Sequence, residues 1–287
     1  MRTQQRGSAW SIKLVYNLYR LFGYKFIYYL MYPISYFYTF KATNVKEALS
    51  IYYKQIGREF TPKIYHEHLR HFAICMCDRF ISLVVPNDYS FDIENREILE
   101  SDLRQGAIFL LAHYGGWASS ANCFGHFGLK MHVVMQEALI QDIKDIEVGL
   151  GSHNISHINI IDTQKDGVVA TLEIAKALWN NELVAMMADR ATSKKNSTKV
   201  KFFGKEGNFN KNPFEIAYKT DKPLIALFVS HLGPQHYKID YTKMVMSKDK
   251  SMASEVDRCL GEYVERFEAN IEKYPQGWFN FYDFWEQ

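Results

Sequence analysis

Apolar residues follow two different patterns along the chain. Between residue 44 and about residue 85 they recur every three or four positions, which is the period of an amphipathic helix. After Pro86 they form short runs that end at polar turns, which is typical of buried strands. The pattern therefore predicts a helical first part and a strand-rich second part.

The apolar runs of the second part predict strands, and helical stretches lie between them at 166–179 and at about 252–274. Strands that alternate with helices indicate an α/β fold with a mixed or mostly parallel sheet flanked by helices. The predicted strands are 107–112, 132–135, 158–161, 183–187, 224–229 and 237–241.

The segment 9–40 is unusually rich in aromatic residues. Fifteen uncharged residues lie between Lys25 and Lys41, fewer than the roughly 20 that a membrane-spanning helix needs, and Pro33 interrupts them. We predict a pair of membrane-interface helices in which Arg20, Lys25 and Lys41 face anionic phosphates. The alternative is a helix packed on the body of the protein.

The predicted division is 1–42 for the interfacial helices and 43–287 for one domain, with a helical part at 43–90 and an α/β core at 91–287.

Composition narrows the classes of partner and site. The 287 residues include 20 Phe, 19 Tyr and 5 Trp, which suits either a headgroup boundary or an aromatic core. A net charge of +2 gives no overall field that would attract a nucleic acid. The cysteines at 75, 77, 123 and 259 lack metal-site spacing, and we interpret them as reduced core thiols. His66, His68 and His71 are interpreted as surface or packing histidines, so we predict no metal site.

His113 is the best candidate for chemistry, because it directly follows the predicted strand 107–112. The carboxyl ends of strands line the crevice in which open α/β sheets bind ligands. Gly115 and Gly116 would let the backbone approach a substrate, and a helix beginning near Trp117 would direct free N–H groups at an anion. The alternative is that His113 is a polar strand-end residue without a catalytic role.

Four sequence blocks together resemble the lipid A biosynthesis acyltransferase family, within the lysophospholipid-acyltransferase-like superfamily of bacteria. They are LAHYGGW at 111–117, MADR at 187–190, VKFFG at 200–204 and YPQGWFNFYDFW at 274–285. The resemblance covers most of the chain. It implies transfer of a fatty acyl group from acyl carrier protein or coenzyme A to a hydroxyl or amine of a lipid or glycolipid. It also implies no cofactor, and a peripheral or monotopic location on the cytoplasmic face of the bacterial inner membrane.

The family's catalytic pattern pairs a histidine with an acid five positions later, where this chain has Ala118. Three explanations stay open. Asp189 supplies the acid, because it follows the predicted strand 183–187 and parallel strands end at one edge. Alternatively, His113 works without an acid. The third explanation is a non-catalytic relative that binds a lipid or a partner, or an engineered change at position 118.

The resemblance also suggests groups that bind substrate. Arg190, Lys199 and Lys201 lie in a cation-rich block that would contact phosphates, or that would be an ordinary solvated loop. Backbone N–H groups at 115–117, with Arg190, would stabilise the oxyanion formed when the acceptor attacks the thioester directly. The aromatic segment 277–285 either flanks the acyl pocket or closes the core.

Overall fold

Helices dominate the chain up to Val84, and strands alternate with helices after it. The computed structural model describes residues 9–125, 128–135, 158–162, 167–191 and 193–286. The helices, labelled in chain order, are α1 (Ala9–Lys41), α2 (Thr43–Gln55), α3 (Pro62–Val84), α4 (Arg96–Leu103), α5 (Ser120–Gly125), α6 (Gly167–Trp179), α7 (Asn212–Thr220) and α8 (Met252–Lys273).

Within these residues, seven strands form one mostly parallel sheet in the order β1-β9-β8-β2-β5-β3-β4, and β6 and β7 form a separate antiparallel hairpin. In the large sheet only the β8–β9 pair is antiparallel. The predicted α/β class with a mostly parallel sheet is confirmed. The strands are β1 (Ser90–Ile93), β2 (Ala107–Leu111), β3 (Met131–Met135), β4 (Ile158–Asp162), β5 (Leu183–Met187), β6 (Ser197–Phe202), β7 (Lys205–Asn210), β8 (Leu224–Gly233) and β9 (His236–Met244).

The sheet is buried on both faces. On the central strand β2, Ile108 and Leu110 belong to one hydrophobic cluster with α2, α6, α7 and α8, whereas Phe109 and Leu111 belong to another with α1, α3 and α4. This two-sided burial explains why β2 is a continuous apolar run rather than an alternating one.

The range labelled α1 contains the predicted pair of helices, but the break between them lies at another residue. This range is interrupted at Gly23, where φ is 75° and ψ is 177°, whereas Pro33 lies inside the helix. Glycine adopts a positive φ at little cost, because it has no Cβ. The helix therefore breaks at Gly23 and not, as predicted, at Pro33. Ile27 and Met31 are buried against the body of the protein. None of the helices in the described residues has the length and apolarity needed to span a membrane.

The polar strands were not predicted. Strand β1 and the hairpin β6–β7 carry charged or polar side chains at many positions, so they lack the apolar runs that marked the other strands. Lys199 and Lys201 therefore lie on strand β6, which corrects their assignment to a loop. Both are exposed, as expected for alternate residues on the outer face of a hairpin.

A buried carboxylate attaches α1 to the body. Asp78 of α3 accepts hydrogen bonds from the hydroxyls of Tyr24 (3.1 Å), Tyr89 (2.9 Å) and Tyr237. Burial raises the pKa of Asp78 to about 6, although the three tyrosine hydrogen bonds act in the opposite direction. Tyr24 belongs to α1 and Tyr237 to β9, so this one group joins three elements.

We expect Asp78→Asn to change how stability depends on pH. The raised pKa means that protonation of Asp78 stabilises the folded state near pH 4, and that this contribution is lost as the pH rises through about 6. Between pH 4 and 7.5 the wild type should lose about 3 kcal/mol more of its free energy of unfolding than Asp78→Asn, which cannot ionise. Urea unfolding at each pH measures this, with the exposed change Asp257→Asn as the control. Parallel pH curves for wild type and Asp78→Asn would contradict the assignment.

Candidate active site

Three adjacent parallel strands end at the same edge of the sheet. Strand β2 lies between β8 and β5, and Leu111 pairs in register with Met187. His113 and Asp189 each follow their strand by two residues, so the register places them side by side. The register of the sheet alone brings these two residues together, without an acid at a fixed number of positions after His113.

The His113 ring meets the Asp189 carboxylate at this edge. Nδ1 lies 2.9 Å from Oδ1 and 3.1 Å from Oδ2 of Asp189, and the backbone N–H of His113 donates to Oδ2 at 3.1 Å. The Asp189 side chain is 0% exposed, whereas that of His113 is 31% exposed. The pair thus has a buried acid and an accessible imidazole.

Asp189 is held as a carboxylate. Burial alone would raise its pKa, but the neighbouring His113 charge, the His113 hydrogen bonds and Arg190 outweigh burial and hold the pKa well below the usual value for an aspartate. The indole Nε1–H of Trp278 donates to Oδ2 at 3.1 Å. An ionised group in an apolar site requires such donors.

Arg190 also contacts the imidazole. Its Nε lies 3.2 Å from Nδ1 of His113, and its guanidinium lies 5.7 Å from the ring centre of Tyr282. Nδ1 cannot donate to Asp189 and accept from Arg190 at once. Because Asp189 is ionised and buried, we assign the proton to Nδ1, which leaves Nε2 of His113 as the acceptor.

An accessible nitrogen base oriented by a buried carboxylate is an arrangement for removing a proton from a hydroxyl or amine.

Residues 5–287 match the sequence profile of the family described as bacterial lipid A biosynthesis acyltransferase. The chain belongs to this family. No match to a curated protein was found. Membership confirms the resemblance seen in the sequence and extends it over nearly the whole chain.

In this acyltransferase family member the two glycines of the site are packed against protein. The N–H of Gly115 donates to Gly277 O and that of Gly116 to Val229 O. A Cβ at Gly115, where φ is 54°, would lie 1.9 Å from Val229 O, and one at Gly116 would lie 2.3 Å from the Tyr237 ring. The expectation that the N–H groups of Gly115 and Gly116 bind an oxyanion is therefore wrong, because both are already paired with carbonyl oxygens. The same expectation for the N–H of Trp117 stays a prediction.

Trp117 lies next to the imidazole. Its ring centre is 6.3 Å from that of His113, and the guanidinium of Arg79 lies 5.7 Å from the Trp117 ring. Helix α5 begins at Ser120 rather than near Trp117, because 116–119 form a turn. Ala118 is part of this turn.

The C-terminal aromatic segment completes the site from behind. Trp278 is fully buried and holds Asp189, and the backbone N–H of Phe279 donates to His113 O at 2.8 Å. The sequence alone indicates no individual role for Trp278 in the site. A tryptophan needs an acceptor for its N–H when it is buried, and that requirement was the available signal.

Other candidates lie away from the pair. Lys199 forms an exposed ion pair with Glu206 at 3.1 Å, and no hydrogen bond joins Lys199 or Lys201 to His113 or Asp189 in the described part of the chain. A second histidine–carboxylate pair, His132 with Glu182 at 2.7 Å, lies where β3 and β5 begin, at the opposite edge of the sheet. No group of three potential metal ligands occurs among the described residues.

We expect the neutral His113 ring to carry its proton on Nδ1. In ¹⁵N spectra near pH 8, Nδ1 should resemble a protonated pyrrole nitrogen and Nε2 an unprotonated pyridine nitrogen. Asp189→Asn should reduce this preference, because a neutral amide attracts the proton less strongly than a carboxylate does. The control is His132→Gln, which removes another histidine that is paired with a carboxylate. A ring protonated on Nε2 would show instead that Nδ1 accepts from Arg190.

Proposed function

We propose that the chain transfers a fatty acyl group from an acyl carrier protein or coenzyme A thioester to a hydroxyl or amine of a membrane lipid or glycolipid. The His113–Asp189 pair is the observation that carries this proposal, because it supplies a base and an acid within a family of lipid A acyltransferases. Ala118 removes the acid at the usual spacing, and Asp189 offers a carboxylate in its place.

In the proposed reaction, Nε2 of His113 takes the proton of the acceptor as its oxygen or nitrogen attacks the thioester carbonyl. Collapse of the tetrahedral intermediate breaks the carbon–sulfur bond, and the imidazolium gives its proton to the leaving thiolate. No acyl-enzyme forms and no cofactor is required. Asp189 stabilises the imidazolium, as the acid of a catalytic triad does.

Arg190 contacts the Nδ1 side of the ring, whereas the substrate must meet Nε2. We therefore propose Arg190 as a positioning residue for the pair, in addition to the predicted contact with substrate phosphate. Trp117 lies beside His113 and is our candidate for lining the acceptor or acyl site. Lys199 and Lys201 stay predicted phosphate contacts on the exposed face of the hairpin.

Membrane contact is proposed for the outward side of α1. Beyond Gly23, this side carries exposed aromatic residues at helical spacing, and the opposite side is buried on the body. Lys25 and Lys41 lie near its two ends. Such a surface suits the headgroup layer, where apolar burial adds to attraction for anionic lipids. We name as the α1 stripe the residues Phe26, Tyr29, Tyr36, Phe37 and Phe40. The proposed location is the cytoplasmic face of the inner membrane. The break between α1, which ends at Lys41, and α2, which begins at Thr43, supports the proposed division at 42/43.

We expect His113→Ala to reduce acyl transfer at least about a thousandfold and Asp189→Asn about a hundredfold. The double variant should be within about threefold of His113→Ala, because the two residues act as a unit. The assay follows a radiolabelled acyl group from either donor into a native lipid extract.

His132→Ala and Glu182→Gln are matched controls, since they disrupt another histidine–carboxylate pair without touching the site. Wild-type protein that transfers nothing from either donor would favour the lipid- or partner-binding alternative. Additive losses in the double variant would contradict a working pair.

We expect replacement of Tyr36 and Phe40 by serine to reduce flotation with vesicles of phosphatidylcholine and phosphatidylglycerol. Point changes are preferable to deletion of 1–42, because Tyr24 and Ile27 of α1 are bonded or buried in the body. About 1 M salt should weaken wild-type binding only in part, since apolar burial is not screened. Serine at Leu172 and Trp179, two exposed residues of α6, is the control. Equal flotation of both variants would exclude the α1 stripe as the contact.

A further inference from the structure

A cluster of one arginine and two histidines lies outside the catalytic pair. Arg70 and His71 of α3 meet His231 near the end of β8, where the rings of His71 and His231 stand perpendicular with centres 4.9 Å apart. The guanidinium of Arg70 lies 4.1 Å from the ring centre of Tyr32 and 5.5 Å from that of Tyr28.

Four buried nitrogen atoms of this cluster have no hydrogen-bond partner among the described residues. Nε and Nη1 of Arg70 and the Nε2 atoms of His71 and His231 are buried, and none has a hydrogen-bond partner in the described residues. No carboxylate of these residues forms an ion pair with Arg70. The two acids on the same helix have other partners: Glu67 pairs with Lys63, and Asp78 accepts from three tyrosines.

Buried donors without acceptors are costly, and a charged guanidinium is the most costly among them. Two N–H-bearing atoms of Arg70 and the unpaired Nε2 atoms of two histidines are therefore brought together without an acceptor from the described part of the chain. Burial, followed by the charges of His231, His68 and Arg70, lowers the pKa of His71 well below its usual value. Burial and then Arg70 lower the pKa of His231 to about 4. A bound anion would offset this mutual repulsion.

The cluster is on the same sheet edge as His113. Strand β8 is the neighbour of β2, and Val229 O, two residues before His231, accepts from the N–H of Gly116. The Phe279 ring lies 6.1 Å from that of His71, while the Phe279 backbone bonds to His113 O. A molecule held at the cluster would thus lie close to the catalytic pair.

We propose that Arg70, His71 and His231 bind a phosphate-type oxyanion. The guanidinium N–H groups of Arg70 are donors, and each imidazole is a further donor when its Nε2 carries a proton. The oxygens of a phosphate accept from several directions at once. Tyr28 and Tyr32, which stack on Arg70, belong to α1, so the site is built partly by the helix that carries the α1 stripe. This favours a phosphate on a lipid headgroup over a free phosphate. The preference for a lipid headgroup rests on the proposed membrane contact of α1, and the link to the acyl acceptor rests on the proposed acyl transfer.

The first arm of the test measures binding alone. Inorganic phosphate is titrated at constant ionic strength against chloride, and the imidazole ¹⁵N resonances of His71 and His231 are followed. We expect saturable shifts in wild type and a dissociation constant raised at least about tenfold in Arg70→Gln, since hydrogen bonds to charged groups are worth more than neutral ones. Arg58→Gln, an exposed arginine elsewhere, should match wild type. His231→Gln, which keeps an N–H donor, serves as a second variant if Arg70→Gln fails to fold.

The second arm identifies the source of the phosphate. Short-chain phosphatidic acid is compared with inorganic phosphate and with short-chain phosphatidylcholine, whose phosphate is a diester. Phosphatidic acid that binds at least about tenfold more tightly than inorganic phosphate would support a lipid headgroup, whereas equal affinity would indicate a free phosphate. Absence of any specific shift in wild type with all three ligands would overturn the proposal.

The third arm links the site to acyl transfer. Arg70→Gln should raise KM for the acceptor at least about tenfold with kcat within about threefold, whereas His113→Ala removes kcat. Unchanged kinetics in Arg70→Gln, with phosphate binding lost, would overturn the link to the acceptor. If wild type transfers nothing, the proposed function fails while the first two arms still decide the oxyanion site.

Discussion

The buried negative charge of Asp189 organises the centre of this protein. A carboxylate removed from water costs several kcal/mol unless donors surround it. Here the donors are the backbone and ring of His113 after β2 and the indole of Trp278 near the C-terminus. Two distant parts of the chain therefore meet at the end of β5 to satisfy one group. The tight loop at Gly115 follows from this meeting, because Gly277 O, next to Trp278, accepts its N–H.

The parts of the fold that the sequence predicted best are those whose burial leaves a strong pattern. Strands β2 and β5 are apolar runs because both of their faces are covered, and their shared register made the proximity of His113 and Asp189 predictable. The polar strands gave no such signal. The sequence predicts the break in α1 at Pro33, but this exposed proline is accommodated within the helix. The break lies at Gly23, whose positive φ cannot be inferred from residue spacing.

The limits at the site have a related cause. Which backbone N–H groups are free depends on neighbours from other strands, so the pairing of Gly115 and Gly116 with Gly277 and Val229 could not be inferred from their own loop. The same holds for His231, which is 160 residues from His71 along the chain. Asp189 was accessible to prediction because its position depends on strand order. Because the register of the sheet positions the carboxylate of Asp189, the 114–119 loop does not have to place an acid at a fixed distance from His113.

The tyrosine cluster around Asp78 has a geometric consequence. Tyr24 connects this carboxylate to α1. Another partner, Tyr237, packs its own ring directly on Gly116, three residues from His113. The outward side of α1 and the imidazole are thus joined by a short series of direct contacts. If α1 rests in a lipid surface, the height of the base above that surface is fixed by the protein. A lipid whose hydroxyl lies at a different height above the membrane would not reach the base. Substrates would then be selected by the size of their headgroups as well as by their chemistry.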